Sequence, residues 1–154
     1  MKADEVHKIM IKVLGPKMKE MGFKRTKSST AGWFIPYKGK LIFIKIRLSW
    51  TGYDVQYGNC LVIDAGLSNS ERLSDFIEFD RPLYDLNEGQ KQKLLAVQNK
   101  AREIIPALGP ARRFNDCCDY YNAEHIEAYA HIFCEFMPTI LENYKKNLEK
   151  QGLL

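Results

Sequence analysis

A chain of 154 residues, 45% hydrophobic and 27% charged, has the size and balance of one globular domain and lies far from the disordered and membrane-embedded ranges. Folding at that length buries roughly 70% of the surface that the unfolded chain exposes, so no disulfide or metal staple is required. The net charge of +4 is unevenly spread: residues 1–50 hold twelve Lys and Arg against three Asp and Glu, a local +9, and the remainder carries −5. Such asymmetry suits an anionic partner, or a basic and an acidic surface on opposite sides of one domain.

The first residues, Met1 to His7, meet charge at once and contain no apolar run of signal-peptide or membrane-span length, so the expected location is cytoplasmic, with no membrane partner. Cys60, Cys117, Cys118 and Cys134 lack zinc-type or thioredoxin-type spacing and are expected to remain thiols. Asp4 is placed to start a helix with Val6, Ile9, Met10, Val13, Leu14 and Met21 on its apolar side. Pro16 should kink or restart it, and Gly22 should close it with Phe23 folded back on Met18.

Lys24, Arg25 and Lys27 read as a basic connector before a short strand over Trp33, Phe34, Ile35, Pro36 and Tyr37. Pro36 cannot donate to a ladder, which assigns that strand to an edge or a bulge. Lys38, Gly39 and Lys40 make the turn into Leu41–Trp50, the most strand-like stretch of the chain. There Ile42, Ile44, Ile46, Leu48 and Trp50 share one face, and Phe43, Lys45, Arg47 and Ser49 share the other. Thr51 to Asn59 is a loop whose large side chains are Tyr53 and Tyr57, and Cys60 to Ser68 returns as an antiparallel strand.

Phe76, Ile77 and Phe79 suit a further short strand before Pro82. Asn87 opens a second helix with Gln90 in the capping-box position, closed by Pro106, Gly109 and Pro110. Asn122 caps a long last helix with a stripe of Ile126, Tyr129, Phe133, Met137, Ile140, Tyr144 and Leu148, bent at Pro138. The expectation is a single α+β domain over residues 1–154: an N-terminal helix, a three- to four-stranded antiparallel sheet and C-terminal helices packed on it.

The helix end Met21-Gly-Phe-Lys-Arg25, the aromatic strand Trp33–Tyr37 and an apolar strand ending in Ser49 and Trp50 resemble domain of unknown function 4304 over roughly the first 70 residues. The resemblance implies an α+β fold and brings no activity and no catalytic residues.

No catalytic set, cofactor motif or metal-ligand pattern stands out. Glu127, His131 and Cys134 share a face of the last helix, but that face lies opposite the apolar stripe and suits solvent better than a metal. His125 reads as an exposed residue near the helix cap. Asp64 beside Lys45 or Arg47 has the wrong order for a metal-dependent nuclease and reads as a cross-strand ion pair. Glycines stand singly, so no phosphate loop is present, and no nucleophile elbow exists.

The leading functional expectation is a non-enzymatic, protein-binding domain that uses Lys45, Arg47, Trp50, Tyr53 and Tyr57 at the polar end of the central strand. A nucleic-acid-binding module built on Lys24, Arg25, Lys27, Lys38, Lys40, Lys45 and Arg47 with Trp33, Phe34 and Tyr37 is the alternative. A third reading is a small enzyme whose site is assembled from distant residues, for example Asp64, His131 and the loop tyrosines.

Overall fold

A computed structural model describes residues 1–153. Helix α1 (Ala3–Glu20) runs unbroken through Pro16 and buries Val6, His7, Met10, Leu14 and Met18. Its N-cap is Lys2, two residues before the Asp4 cap that the sequence suggests. Its end is a Schellman closure: Gly22 stands at φ +95°, Phe23 N–H donates to the Met18 carbonyl at 2.9 Å, and Gly22 N–H donates to Lys19 at 3.0 Å.

The sheet has six antiparallel strands, more than the three or four that the sequence suggests. β1 (Lys24–Arg25), β2 (Gly32–Tyr37), β3 (Lys40–Leu48), β4 (Asn59–Ser68) and β5 (Phe76–Asp80) follow in spatial order, and β6 (Cys118–Tyr120) pairs with the opening residues of β4. β1 and β6 were hidden because strands of two and three residues carry no periodicity. β1 pairs with Phe34 and Trp33 and does not reach Pro36, so the proline occupies unpaired edge, as its missing N–H requires. Lys38 (φ +48°) and Gly39 (φ +79°) form the two-residue hairpin turn between β2 and β3.

Helix α2 (Glu88–Ile104) opens on the expected reciprocal cap, in which Gln90 N–H donates to Asn87 Oδ1 at 2.8 Å and Asn87 N–H donates to Gln90 Oε1 at 3.1 Å. Helix α3 (Ala123–Lys150) is capped by Asn122, continues through Pro138 and buries its whole predicted stripe. α1 packs on α3, and α2 packs on α3 and β6.

Strand alternation separates the two sheet faces. Ile42, Ile44, Ile46, Leu61, Ile63, Ala65 and Leu67 join the helices in the main core, where each fully buried Ile or Leu side chain contributes about 1.5–3 kcal/mol. Glu78 of β5 also points to this layer, where the Tyr144 hydroxyl donates to its carboxylate. The opposite face carries Phe34, Phe43, Lys45, Arg47, Cys60, Val62, Asp64 and Phe79, and among the described residues α2 reaches it at the β6 end, where Gln98 and Arg102 donate to Asp119. No helix among the described residues is long and apolar enough to cross a membrane.

His125 overturns its sequence reading. It is buried, and its Nδ1 accepts from the Tyr121 and Asn122 N–H groups at 3.0 and 3.2 Å. A ring-nitrogen acceptor completes the helix cap, so the imidazole turns inward where a carboxylate would usually stand.

Candidate functional site

The sheet face opposite the main core is organised by β4, whose neighbours differ along its length: β6 at its beginning, β5 at its end, and β3 from Leu61 to Ser68. Asp64 lies directly opposite Lys45 in the register but accepts from Arg47 instead, with Arg47 Nε to Oδ2 at 2.6 Å and Nη2 to Oδ1 at 3.3 Å. This two-point pair, with Arg47 half exposed, contributes about 0.2–1 kcal/mol and holds the Arg47 guanidinium charged.

Lys45 goes elsewhere. Its ammonium stands 5.6 Å from the Phe43 ring and 5.1 Å from the Phe76 ring, the centre of an aromatic row in which Phe34–Phe43, Phe43–Phe76 and Phe76–Phe79 centroids lie 5.5, 4.9 and 4.8 Å apart. Gly66 lies beneath that row, where a Cβ would approach Phe76 carbons to 2.7 and 2.9 Å.

Arg47, Asp64, Phe79, Asp80, Arg81 and Tyr84 line an open hollow of about 490 Å³. Asp116 lies at its margin and is 2% exposed, and its backbone stands at φ +70°, in the left-handed region. Arg81 Nη1 approaches Oδ2 at 3.5 Å and the Tyr84 hydroxyl is close, yet neither carboxylate oxygen has a well-formed hydrogen bond. Burial pushes the Asp116 carboxyl up from its ordinary range, and the Arg81 guanidinium offsets part of that rise.

Cys60 and Cys117 meet beside this hollow. The Cys60 thiol stabilises the Cys117 thiolate and brings its pKa down to about 7, while the same contact together with burial drives Cys60 far up. Cys118, one residue on, faces the core and is fully buried.

Cys60 also lines a second hollow of about 480 Å³ with Tyr57, Leu108 and Asp119, under the loop that follows β3. That loop is pinned at many points. Asp54 and Gly58 exchange backbone hydrogen bonds of 3.0 and 2.6 Å, Asp54 Oδ1 accepts from Gln56 N–H at 2.7 Å, and Ala107 N–H donates to the Gln56 carbonyl at 2.8 Å. The Tyr121 hydroxyl donates to Val55 at 2.8 Å, and the Tyr53 hydroxyl donates to Tyr121 at 3.0 Å. Gly58 stands at φ +62° with no room for a Cβ against the Tyr120 carbonyl. On this fixed frame Trp50 is 94% exposed, Val55 65% and Tyr57 61%.

The sequence-derived residues therefore have distinct fates. Arg47 lines the hollow, Tyr57 projects into solvent, Tyr53 fastens the loop through its hydroxyl and its ring 5.7 Å from Tyr121, and Lys45 caps the aromatic row, whereas Trp50, expected on the apolar face of the strand, lies beyond the end of β3 at Leu48 and also projects into solvent. Asp64 and His131, suggested as partners in a distant-residue enzyme site, lie in different layers: Asp64 on the sheet face opposite the main core and His131 exposed on α3. Glu127 and His131 are exposed, Cys134 donates to the Val13 carbonyl at 3.4 Å, and no group of three metal-ligating side chains occurs among the described residues. Sequence reasoning missed Arg81, Tyr84, Asp116 and the Cys60–Cys117 contact, which no local spacing signals.

No family model matches the chain, and no curated protein or solved structure matches it significantly.

Proposed function

We propose that the chain is a non-enzymatic binding domain that recognises another protein through the loop after β3 and the adjoining polar end of the central strand. The observation that carries this reading is the contrast between the loop's backbone, held by hydrogen bonds to Tyr121 and Ala107, and the large apolar side chains it leaves in water. A held backbone lowers the ordering cost of association, and Trp, Tyr and Arg are the residues that most often dominate binding energy. Trp50 and Tyr57 are the anchors, Arg47 is the polar margin, and Tyr53 supports them from below.

Nucleic-acid binding is less well supported by the fate of the basic residues. Arg25 donates to the Ser28, Thr30 and Gly32 carbonyls, Lys38 pairs with Glu149 at 2.9 Å, Lys45 covers phenylalanines and Arg47 is paired with Asp64. A phosphate backbone needs a continuous stripe of available cations, and these four are spent inside the fold.

The test is affinity capture from the source cell's lysate with the intact chain and with a Trp50→Ala/Tyr57→Ala double variant, followed by binding measurements on each recovered protein. The reading expects a partner whose affinity falls at least tenfold with the double variant, since each anchor is worth about 1–2 kcal/mol or more. Recovery of no specific protein, or of proteins that bind the double variant equally well, overturns it.

A further inference from the structure

Four cysteines occupy three different environments. Cys118 is sealed in the core, and Cys134 is committed to the Val13 carbonyl. Cys60 and Cys117 are each half-buried and meet at the sheet face opposite the main core. The register places Cys60 opposite Asp119, and Cys117, two residues before Asp119 and just outside the ladder, takes the position diagonal to Cys60.

We infer that Cys60 and Cys117 form a redox-active dithiol that closes reversibly to a disulfide joining β4 to the loop before β6. Diagonal neighbours stand slightly wider than a relaxed disulfide demands, so closure needs a small approach of one backbone. Cys117 can supply it because it precedes the first residue of β6 and follows Asp116, whose left-handed backbone marks the end of the regular ladder. Cys60, fixed inside β4, cannot move as readily.

Roles follow from the surroundings. Cys117 is the attacking sulfur, because the Cys60 thiol and the nearby Arg81 favour its thiolate against the opposing influence of Asp116, Asp119 and partial burial. Arg47 also feels the Cys117 charge, whereas the carboxylate of Asp119 is already taken by Gln98 Nε2 and Arg102 Nε, each at 2.8 Å. Cys60 keeps its proton and acts second.

The co-reactant is a small disulfide. The Cys117 thiolate attacks one of its sulfurs, forming a mixed disulfide and releasing one thiolate. The Cys60 sulfur then attacks Cys117 Sγ, loses its proton, and releases the second thiolate. Two protein thiols have become one S–S bond, the small disulfide has been reduced to two thiols, and both protons end on those products. This chemistry is independent of the protein-binding reading.

The experiment incubates the full chain with glutathione disulfide in excess over glutathione, quenches with acid, and counts thiols by alkylation and peptide mapping after denaturation. Fully denatured chain treated identically shows that the reagent is competent. The wild-type protein is expected to lose two of its four thiols as a linked Cys60–Cys117 pair, restored by dithiothreitol. Cys60→Ser should accumulate glutathione on Cys117, and Cys117→Ser should react at least tenfold more slowly. Alkylation of native Cys117 should rise to half its maximal rate near pH 7. Circular dichroism checks that both variants are folded, and an unfolded variant leaves the wild-type linkage map to decide. Four intact thiols in the native protein, or linkage through Cys118 or Cys134, overturns the inference.

Discussion

Replacing Asp116 by Asn should make this protein more stable at neutral pH, although it removes one member of an ion pair. The carboxylate is 2% exposed, and neither oxygen has a well-formed hydrogen bond. Leaving a buried polar group unmet costs about 1–3 kcal/mol, and more when it is charged. Arg81, 3.5 Å away with its side chain 42% exposed, returns about 0.2–1 kcal/mol after solvent screening, and the nearby Tyr84 hydroxyl and the more distant Arg47 favour the carboxylate further without offsetting its burial. Asn preserves the shape and tolerates the left-handed backbone, so the net gain is about 1 kcal/mol, equivalent to about 2–4 °C in melting temperature at this chain length.

The pH dependence fixes the cause. The folded-state pKa of Asp116 is raised, so its favourable contribution is complete below the ordinary carboxylate range and is lost as pH rises through the folded value. The advantage of Asn should therefore be largest at pH 7–8 and shrink toward zero near pH 4. Thermal melts of both proteins across that range measure the difference directly, and the likewise raised Glu78 carboxyl cancels because both proteins retain it. An Asn variant that melts lower at neutral pH, or a difference that ignores pH, refutes the argument.

Two further outcomes rest on single contacts. His7 Nδ1 accepts from Ala31 N–H at 3.0 Å and His125 Nδ1 accepts from two N–H groups, and burial lowers both pKa values. Their stabilising share is present above the unfolded value of about 6.5 and is lost as pH falls through the folded values, so His7→Leu should lower stability by about 1–3 kcal/mol at pH 7.5 and by less at pH 5.5 in denaturant titrations. An equal loss at both pH values would show that packing, not the acceptor, is what His7 provides. For Gly66→Ala, the gain of about 0.4–1 kcal/mol from restricting the unfolded chain is outweighed by about 1–3 kcal/mol of crowding against Phe76, so the melting temperature should fall, and a rise would mean that the aromatic row repacks freely.

The parts of the fold legible in the sequence are those where local chemistry and tertiary packing ask for the same thing. Asn87 with Gln90 satisfies orphan N–H groups wherever the helix later docks, and Gly22 closes α1 because its conformation costs little there. The stripe of α3 from Ile126 to Leu148 is apolar at helical spacing, and every one of its seven predicted members is buried. His125 misled because its type and position suit solvent, whereas its ring is needed as an acceptor for Tyr121 and Asn122. β6 is invisible for a different reason: three residues acquire strand geometry from β4, which supplies the other half of the ladder.

The site is less legible because its chemistry is decided by the strands that flank the central pair. Register alone puts Asp64 opposite Lys45, which would leave Arg47 as the available cation. β5 reverses that assignment by bringing Phe76 and Phe79 alongside Phe43, giving Lys45 a partner that no β3–β4 pairing predicts and freeing Asp64 for Arg47. β6 acts in the same way at the other end of β4, carrying Cys117 to Cys60 and Asp116 toward Arg81 from a loop far along the chain from both. A charge on the central strand is therefore not evidence of an external partner until the flanking strands have made their claims. Among the described residues that the flanking strands leave without such a claim are the exposed Trp50 and Tyr57 and the Cys60–Cys117 pair.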